Sequence, residues 1–371
     1  MTEVFVNPAH RAVAPRPVAP HGGRGPRAFH RRLPGYEPTP LHTLPGRASD
    51  LGLGSLWVKD ETSRMGMPSF KVLGASWATY RALCARLGAE PEWASIGELR
   101  AAVAPLGPLT LVAATDGNHG RAVALMARLL GASARILVPS GTAEARVAGI
   151  EEEGAVVSVV DGTYDDAVTA SAALAAPDAL VISDTSWDGY TEIPGWVIEG
   201  YSTIFAEVDE QLNGAAVDVV VVQVGVGALA ASAVQRYAGS ASLVAVEPLG
   251  AACALRSAQA GRPTEVPGPH TSIMAGLNCG RVSAIAWPVV AAGVEVFMAV
   301  EDVAAEAAMI DLAAAGIDAG ETGAAGLAGL RALAAAGVPV DLTGRSVLAL
   351  CTEGPTDPVS FERIVGRPPT R

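Results

Sequence analysis

Apolar residues along this chain fall into two patterns, short continuous runs and longer stretches with apolar positions three and four apart. From residue 109 the two alternate. Residues 109–114 read as a buried strand and 119–130 as a helix; 135–139 read as a strand and 142–153 as a helix. Residues 156–160, 164–175 and 179–183 continue the series as strand, helix and strand. A parallel crossover needs a dozen or more residues, so such βα units predict a mostly parallel sheet with helices on both faces. After a helix around residues 194–211 a second alternation begins. Residues 217–224 form a strand that is apolar except for Asp218 and Gln223, followed by a helix over 228–237 and a strand over 243–246. Helices over 303–315 and 323–336 and a closing strand over 346–350 complete the chain. The fold class expected is α/β, with two lobes and a cleft between them.

The first 50 residues break the pattern, being rich in Pro, Gly and Arg with no clear period. They predict an irregular arm wrapped on the body, with Leu41 and Leu44 as anchors. The domain division expected is an arm over 1–35, a large domain from 36–85 and 195–371, and a smaller βα domain over 86–194.

Composition narrows the partners. In 371 residues the apolar share is 50% and the charged share 17%, which describes a globular chain with ample core. A net charge of -12 leaves no basic surplus for nucleic acid or an anionic membrane. No apolar run reaches membrane-spanning length, and the N-terminus lacks the order of a signal peptide. Cys84, Cys253, Cys279 and Cys351 are far apart without CxxC spacing, and the six histidines are scattered, so no metal is expected and a reducing cytoplasm is. Cys253 and Cys279 flank a cleft segment and read as buried thiols.

Candidate chemistry gathers at the carboxyl ends of the predicted strands, where open α/β sheets bind ligands. Lys59 and Lys71 are the only two lysines among 26 basic Lys and Arg residues. An amine can lose its proton and form a Schiff base, whereas a guanidinium stays charged, so Lys71 in Ser69-Phe70-Lys71 invites a chemical role. Lys59, beside Asp60 and Glu61, reads as a structural charge pair. Thr115-Asp116-Gly117-Asn118-His119-Gly120 follows one strand, and Gly225-Val226-Gly227-Ala228 follows another. The latter's backbone amides suit a phosphate at a helix N-terminus. Asp184-Thr185-Ser186-Trp187 and Cys351-Thr352-Glu353-Gly354 follow two more. Singly, such peptides are ordinary turns and caps; four together point to a site. A rival reading exists in one window: Gly225-Val226-Gly227-Ala228-Leu229-Ala230 fits G-x-G-x-x-A, and Glu247 ends the next strand 22 residues on, as in an NAD-binding oxidoreductase. That reading leaves Lys71 and the 116–120 stretch unused.

Ser69-Phe70-Lys71 with Gly74-Ala75, then Gly117-Asn118-His119-Gly120, then the glycine loop, resembles the fold-type II pyridoxal-phosphate enzymes of the tryptophan synthase β group. With Asp184-Thr185-Ser186-Trp187-Asp188-Gly189-Tyr190, Ile273-Met274-Ala275-Gly276-Leu277 and Thr352-Glu353-Gly354 added, the set resembles the diaminopropionate ammonia-lyase family from about residue 40 to 365. The resemblance implies pyridoxal 5′-phosphate in the cleft between lobes, held by Lys71 as an internal aldimine. It implies that Phe70 and Asn118 touch the cofactor, with Asn118 at the 3′ oxygen. Gly225, Val226, Gly227 and Ala228 would hold the phosphate, and Thr352, rather than Cys351, the ring nitrogen. Where dehydratases of this fold carry serine, this chain has Asp116, which suits a substrate with a second ammonium group; Asp184 would add a second anion on the opposite wall. The reaction implied is α,β-elimination of 2,3-diaminopropionate to pyruvate and ammonia. Lys71 would take the α-proton of the L isomer and Asp116 that of the D isomer. Ser69 and Thr115 would help hold the substrate, and a homodimer is implied. A related enzyme that eliminates or replaces a β-substituent on serine, threonine or another amino acid shares the same motifs.

Overall fold

Two sheets form from the short apolar runs. The computed structural model describes residues 2–11, 25–115, 117–336 and 340–370. Among these residues the strands are β1 (Glu3–Val6), β2 (Leu41–Thr43), β3 (Ser55–Asp60), β4 (Thr110–Ala114), β5 (Ser133–Pro139), β6 (Val156–Val160), β7 (Ala179–Val181), β8 (Val219–Gln223), β9 (Ser242–Pro248), β10 (Val296–Val300) and β11 (Ser346–Cys351). One sheet has seven strands in the order β1-β10-β9-β8-β11-β3-β2, and the other has four in the order β6-β5-β4-β7. The four-stranded sheet is parallel throughout, and so is the interior of the larger one. Every residue of β8 is buried, and its first four are valines. A strand covered on both faces has no reason to alternate apolar with polar. β6 lies at an edge, and Val156 and Val159 are exposed there.

The last strand in the sequence is an interior one in space. β11 inserts between β8 and β3, with Val347 opposite Val219 on one side and Leu56 on the other. Thr352, Glu353 and Gly354 thereby emerge between the glycine loop that follows β8 and the lysine stretch that follows β3. The sequence order alone gives no sign of this insertion.

The arm departs from the irregular path expected of residues 1–35. Glu3–Val6 pairs antiparallel with β10, Val6 opposite Val296, and Pro26–His30 is a short helix. Edge pairing satisfies the strand's backbone polar groups on one side, which a proline-rich composition does not forbid in its four proline-free residues. Phe29 of that helix is fully buried and stacks on Tyr80 at 4.7 Å. Leu44 is buried as an anchor, and Leu41 is half-buried on β2.

Lys59 is the structural charge expected, but its partner is not a sequence neighbour. Neighbouring residues on a strand face opposite sides, so it turns away from Asp60. It is fully buried and donates to Glu207 Oε2 at 2.8 Å, to the Thr39 carbonyl at 2.7 Å and to Gln211 Oε1 at 3.0 Å. Arg64, equally buried, grips the same carboxylate at 2.6 and 2.8 Å and holds Glu61 at 2.6 Å. Asp60 bonds Thr62 and His42 instead. This buried ionic cluster ties β3, the turn leading to Lys71 and the long helix Glu192–Leu212 into one body.

That long helix crosses helix Lys71–Leu87 at two glycines. A Cβ on Gly74 would lie 2.5 Å from Tyr201 Cε1, and one on Gly200 would lie 2.5 Å from the Leu73 carbonyl oxygen. Real Cβ atoms do not approach so closely, so only glycine permits this crossing. It seats the helix that begins at Lys71.

Candidate active site

The turns after β3, β4, β7, β8 and β11 converge on one cleft. Ser69, Phe70, Lys71, Thr115, Asn118, Asp184, Gly225, Val226, Gly227, Ala228 and Thr352 all line it, so every described residue of the expected site reaches one place. Asp116 lies outside the described residues. Among the described residues, no group of three or more His, Cys, Asp or Glu side chains is arranged to hold a metal ion.

Lys71 is the first residue of its helix. The chain reaches it through a tight reversal in which Arg64 and Met67 pair and Met65 takes a positive φ of 56°. Lys71 Nζ donates to Asp184 Oδ2 at 2.7 Å, and the Tyr164 hydroxyl donates to Asp184 Oδ1 at 3.0 Å. Burial alone would raise the Asp184 carboxyl. The charge of Lys71, the His119 ring and the two hydrogen bonds outweigh it and hold the group well below the usual carboxylate range. Asp184 is therefore a buried anion, partnered by the lysine. The Phe70 ring meets Tyr201 edge-on at 4.7 Å, and the Lys71 amine lies 5.6 Å from the Phe70 ring centre. Ser69 is buried, and its Oγ accepts the Lys71 amide at 3.4 Å.

Across the cleft, Thr115 Oγ1 accepts the Gly117 amide at 2.8 Å, closing a turn that delivers Asn118 to a helix start. The Asn118 amide donates to Glu353 Oε2. His119 Nε2 pairs with the Ile182 carbonyl at 2.8 Å and so ties this helix to the peptide that leads to Asp184.

The glycine loop caps helix Ala228–Tyr237, with Gly227 at a φ of 99° that other residues rarely adopt. A Cβ on Gly225 would press within 3.2 Å of the Gly276 carbonyl, so the loop fits closely under the 275–279 segment. Beside it, Gln223 Nε2 donates to the Leu350 carbonyl at 2.8 Å and to Thr352 Oγ1 at 3.3 Å. Glu247, the ribose partner in the dinucleotide reading, is spent elsewhere. Its two oxygens accept the Ala254 and Leu255 amides at 2.8 and 2.7 Å, at the start of helix Cys253–Ala260. A fully buried carboxyl group committed to a helix start cannot bind a ribose hydroxyl, so that reading fails on geometry.

Further residues of the cleft to which the sequence assigned no role include Tyr164, Tyr201, Gln223 and Glu353. Tyr164 and Glu353 each follow a strand, so position was an available signal. Tyr201 sits in mid-helix and Gln223 within a strand, where only packing reveals them.

Comparison with known proteins agrees with this arrangement. Residues 32–352 match the family described as pyridoxal-phosphate dependent enzyme. The diaminopropionate ammonia-lyase of Salmonella typhimurium is 36% identical over 364 residues, covering 91% of this chain and 90% of that protein. A crystal structure of the Escherichia coli diaminopropionate ammonia-lyase in complex with D-serine superimposes with a TM-score of 0.89 at 31% identity, covering 98% of this chain and 97% of that one. The same enzyme in complex with an aminoacrylate-PLP azomethine reaction intermediate gives a TM-score of 0.87 at 30% identity, with coverage of 98% and 97%. The sequence, the two-sheet α/β architecture and the lysine-centred cleft thus lead to one assignment: this chain belongs to the fold-type II pyridoxal-phosphate dependent enzymes and, among them, to the diaminopropionate ammonia-lyase family.

Proposed function

We propose that this chain uses pyridoxal 5′-phosphate to eliminate ammonia from 2,3-diaminopropionate, giving pyruvate and two molecules of ammonia with uptake of one water. The carrying observation is the Lys71 amine held on the buried Asp184 carboxylate inside a cleft that also contains a glycine loop. The residues present fit the cofactor. They include an amine at a helix start, open backbone amides at a helix N-terminus behind a positive-φ glycine, and a buried hydroxyl at Thr352. When bound, the cofactor supplies an electron sink for the carbanion formed at the substrate α-carbon.

The chain supplies the rest. Lys71 would hold the cofactor through Nζ and, when its amine is free, would take the α-proton of the L isomer at that atom. Asp184 keeps that amine oriented and offers its charge to the second ammonium of the substrate. Asp116 has the matching role toward the D isomer, a role that rests on the family resemblance. Gly225, Val226, Gly227 and Ala228 would hold the phosphate with backbone amides, and Thr352 would serve the ring nitrogen. Phe70 packs beside the lysine, Asn118 would serve the 3′ oxygen, and Ser69 and Thr115 would position the substrate carboxylate. The cleft separates a large lobe built on residues 36–85 and 195–371 from a smaller lobe over 86–194. The family resemblance further supports a homodimer and a cytoplasmic setting; a light-scattering mass of one chain would overturn the former. No helix among the described residues is long and apolar enough to cross a membrane.

Pyruvate release from L- and D-2,3-diaminopropionate, measured beside serine and threonine, tests the reading. The diamino acid is expected to be turned over fastest, and faster turnover of serine or threonine would overturn the substrate assignment. Lys71→Ala is expected to abolish the mass gain that borohydride fixes on the wild-type chain.

A further inference from the structure

Glu353 follows Thr352 at the end of β11 and is buried, 1% exposed, in the wall of the cleft. Its backbone is fixed from three sides. Ser69 pairs with it as an isolated antiparallel bridge, the Gly320 amide donates to its carbonyl at 3.0 Å, and the next amide, Gly354, donates to the Pro68 carbonyl at 2.8 Å. From this fixed base the carboxylate points across the cleft into the smaller lobe. There Oε2 accepts the Asn118 side-chain amide, and Oε1 lies 3.8 Å from the Arg146 guanidinium on helix Glu144–Glu151. The Arg146 side chain is itself only 8% exposed.

An ionised carboxylate only accepts hydrogen bonds, so it dictates which end of the Asn118 amide faces it. Nδ2 must turn toward Glu353, and Oδ1 cannot. Nδ2 carries two hydrogens; Glu353 takes one and leaves the second for a ligand oxygen. With an apolar side chain at 353 the amide could rotate by half a turn and present Oδ1 to the ligand, which repels an oxygen anion. We propose that Glu353 is a positioning residue that locks Asn118 as a hydrogen-bond donor toward the cofactor. The inference rests on the reading that Asn118 faces the cofactor's 3′ oxygen. It also assigns Arg146 a task, to balance a buried negative charge beside a site that must hold an anion.

The test is cofactor affinity, followed by titrating pyridoxal phosphate into apoprotein and recording the visible absorption band. Glu353→Gln keeps the size but replaces one oxygen by a donor that can face Asn118 Oδ1, so it no longer fixes the amide, and its dissociation constant is expected to rise severalfold. Glu353→Asp keeps the charge but withdraws it by one methylene, and Glu353→Met removes the acceptor. Both are expected to weaken binding by about tenfold and to move the band. Asn118→Ala is expected to weaken binding similarly, and the Asn118→Ala, Glu353→Asp double variant to bind no worse than Asn118→Ala alone. Wild-type affinity in Glu353→Asp or in Glu353→Gln, or additive losses in the double variant, would overturn the proposal. Wild-type affinity in Asn118→Ala would instead overturn the reading on which it rests. If Glu353→Met does not fold, the Asp and Gln variants decide.

Discussion

The Lys71 amine and the Asp184 carboxylate meet at 2.7 Å although 113 residues separate them. One begins a helix of the large sheet's lobe, and the other follows β7 of the smaller sheet, so the pair exists only where the two lobes face each other. Asp184→Asn removes the charge that orients the amine while keeping the shape. The turnover number is expected to fall by roughly a hundredfold or more, the scale of a positioned proton-transfer partner, with the cofactor still attached. Steady-state pyruvate release and the visible spectrum of the same preparation check both halves. An unchanged turnover number would remove Asp184 from the chemistry.

Gly200 leaves no room at its helix crossing, since a Cβ there would meet the Leu73 carbonyl at 2.5 Å and the Gly74 Cα at 2.8 Å. Both contacts are backbone and cannot swing aside. Gly200→Ala is expected to cost about 1–3 kcal/mol in denaturant unfolding, the usual scale of an overpacked core. Because the crossing seats Lys71, cofactor affinity is expected to fall with it.

Glu207 carries the charge balance of the buried cluster. Burial pulls its carboxyl upward, but hydrogen bonds and charge from Arg64, with Lys59 beside it, hold it down at about 2. Glu207→Gln leaves Lys59 and Arg64 buried with only Glu61 to offset them. The expected loss is about 3–5 kcal/mol, the scale for breaking a buried pair from one side, measured by urea unfolding at neutral pH. In the wild type this stabilisation is present above the unfolded carboxylate range and is lost as pH falls toward about 2.

Glu247 has the opposite sign. Burial pushes its carboxyl up to about 8, against the two backbone amides that draw it down. A folded state that keeps a proton the unfolded state has released is favoured at low pH. The group's contribution is therefore complete below the unfolded carboxylate range and is lost as pH rises through about 8. Urea unfolding between pH 5 and 8 is expected to show this decline in the wild type. Glu247→Gln is expected to flatten it, and an undiminished slope in the variant would place the titrating group elsewhere.

Much of the fold was legible because its signals are local. The apolar run before Gln223, the periodic stretch over 228–237 and the glycines between them dictate strand, helix and turn without reference to distant residues. A short strand buried beside others, such as β10 at Val296–Val300, gives little local signal, since a loop-rich neighbourhood offers it no alternating context. The arm departs from its composition for a related reason. Whether Glu3–Val6 becomes a strand depends on β10 being beside it, and composition does not record neighbours.

The sequence by itself determined the chemistry on offer. It provided one lysine at a helix entry, a glycine loop after a strand, an asparagine at a helix start and a hydroxyl after the last strand. Tertiary structure decided what these groups do to one another. It placed β11 between β8 and β3, turned Lys59 from its sequence neighbours to Glu207, sent Glu247 to a helix start and put Asp184 on Lys71. The physical reason is that residue identity and short-range periodicity act through local sterics and solvation. Partner choice among buried charges is set by which backbone elements pack together, and two glycines at a helix crossing settle that as firmly as any charged group.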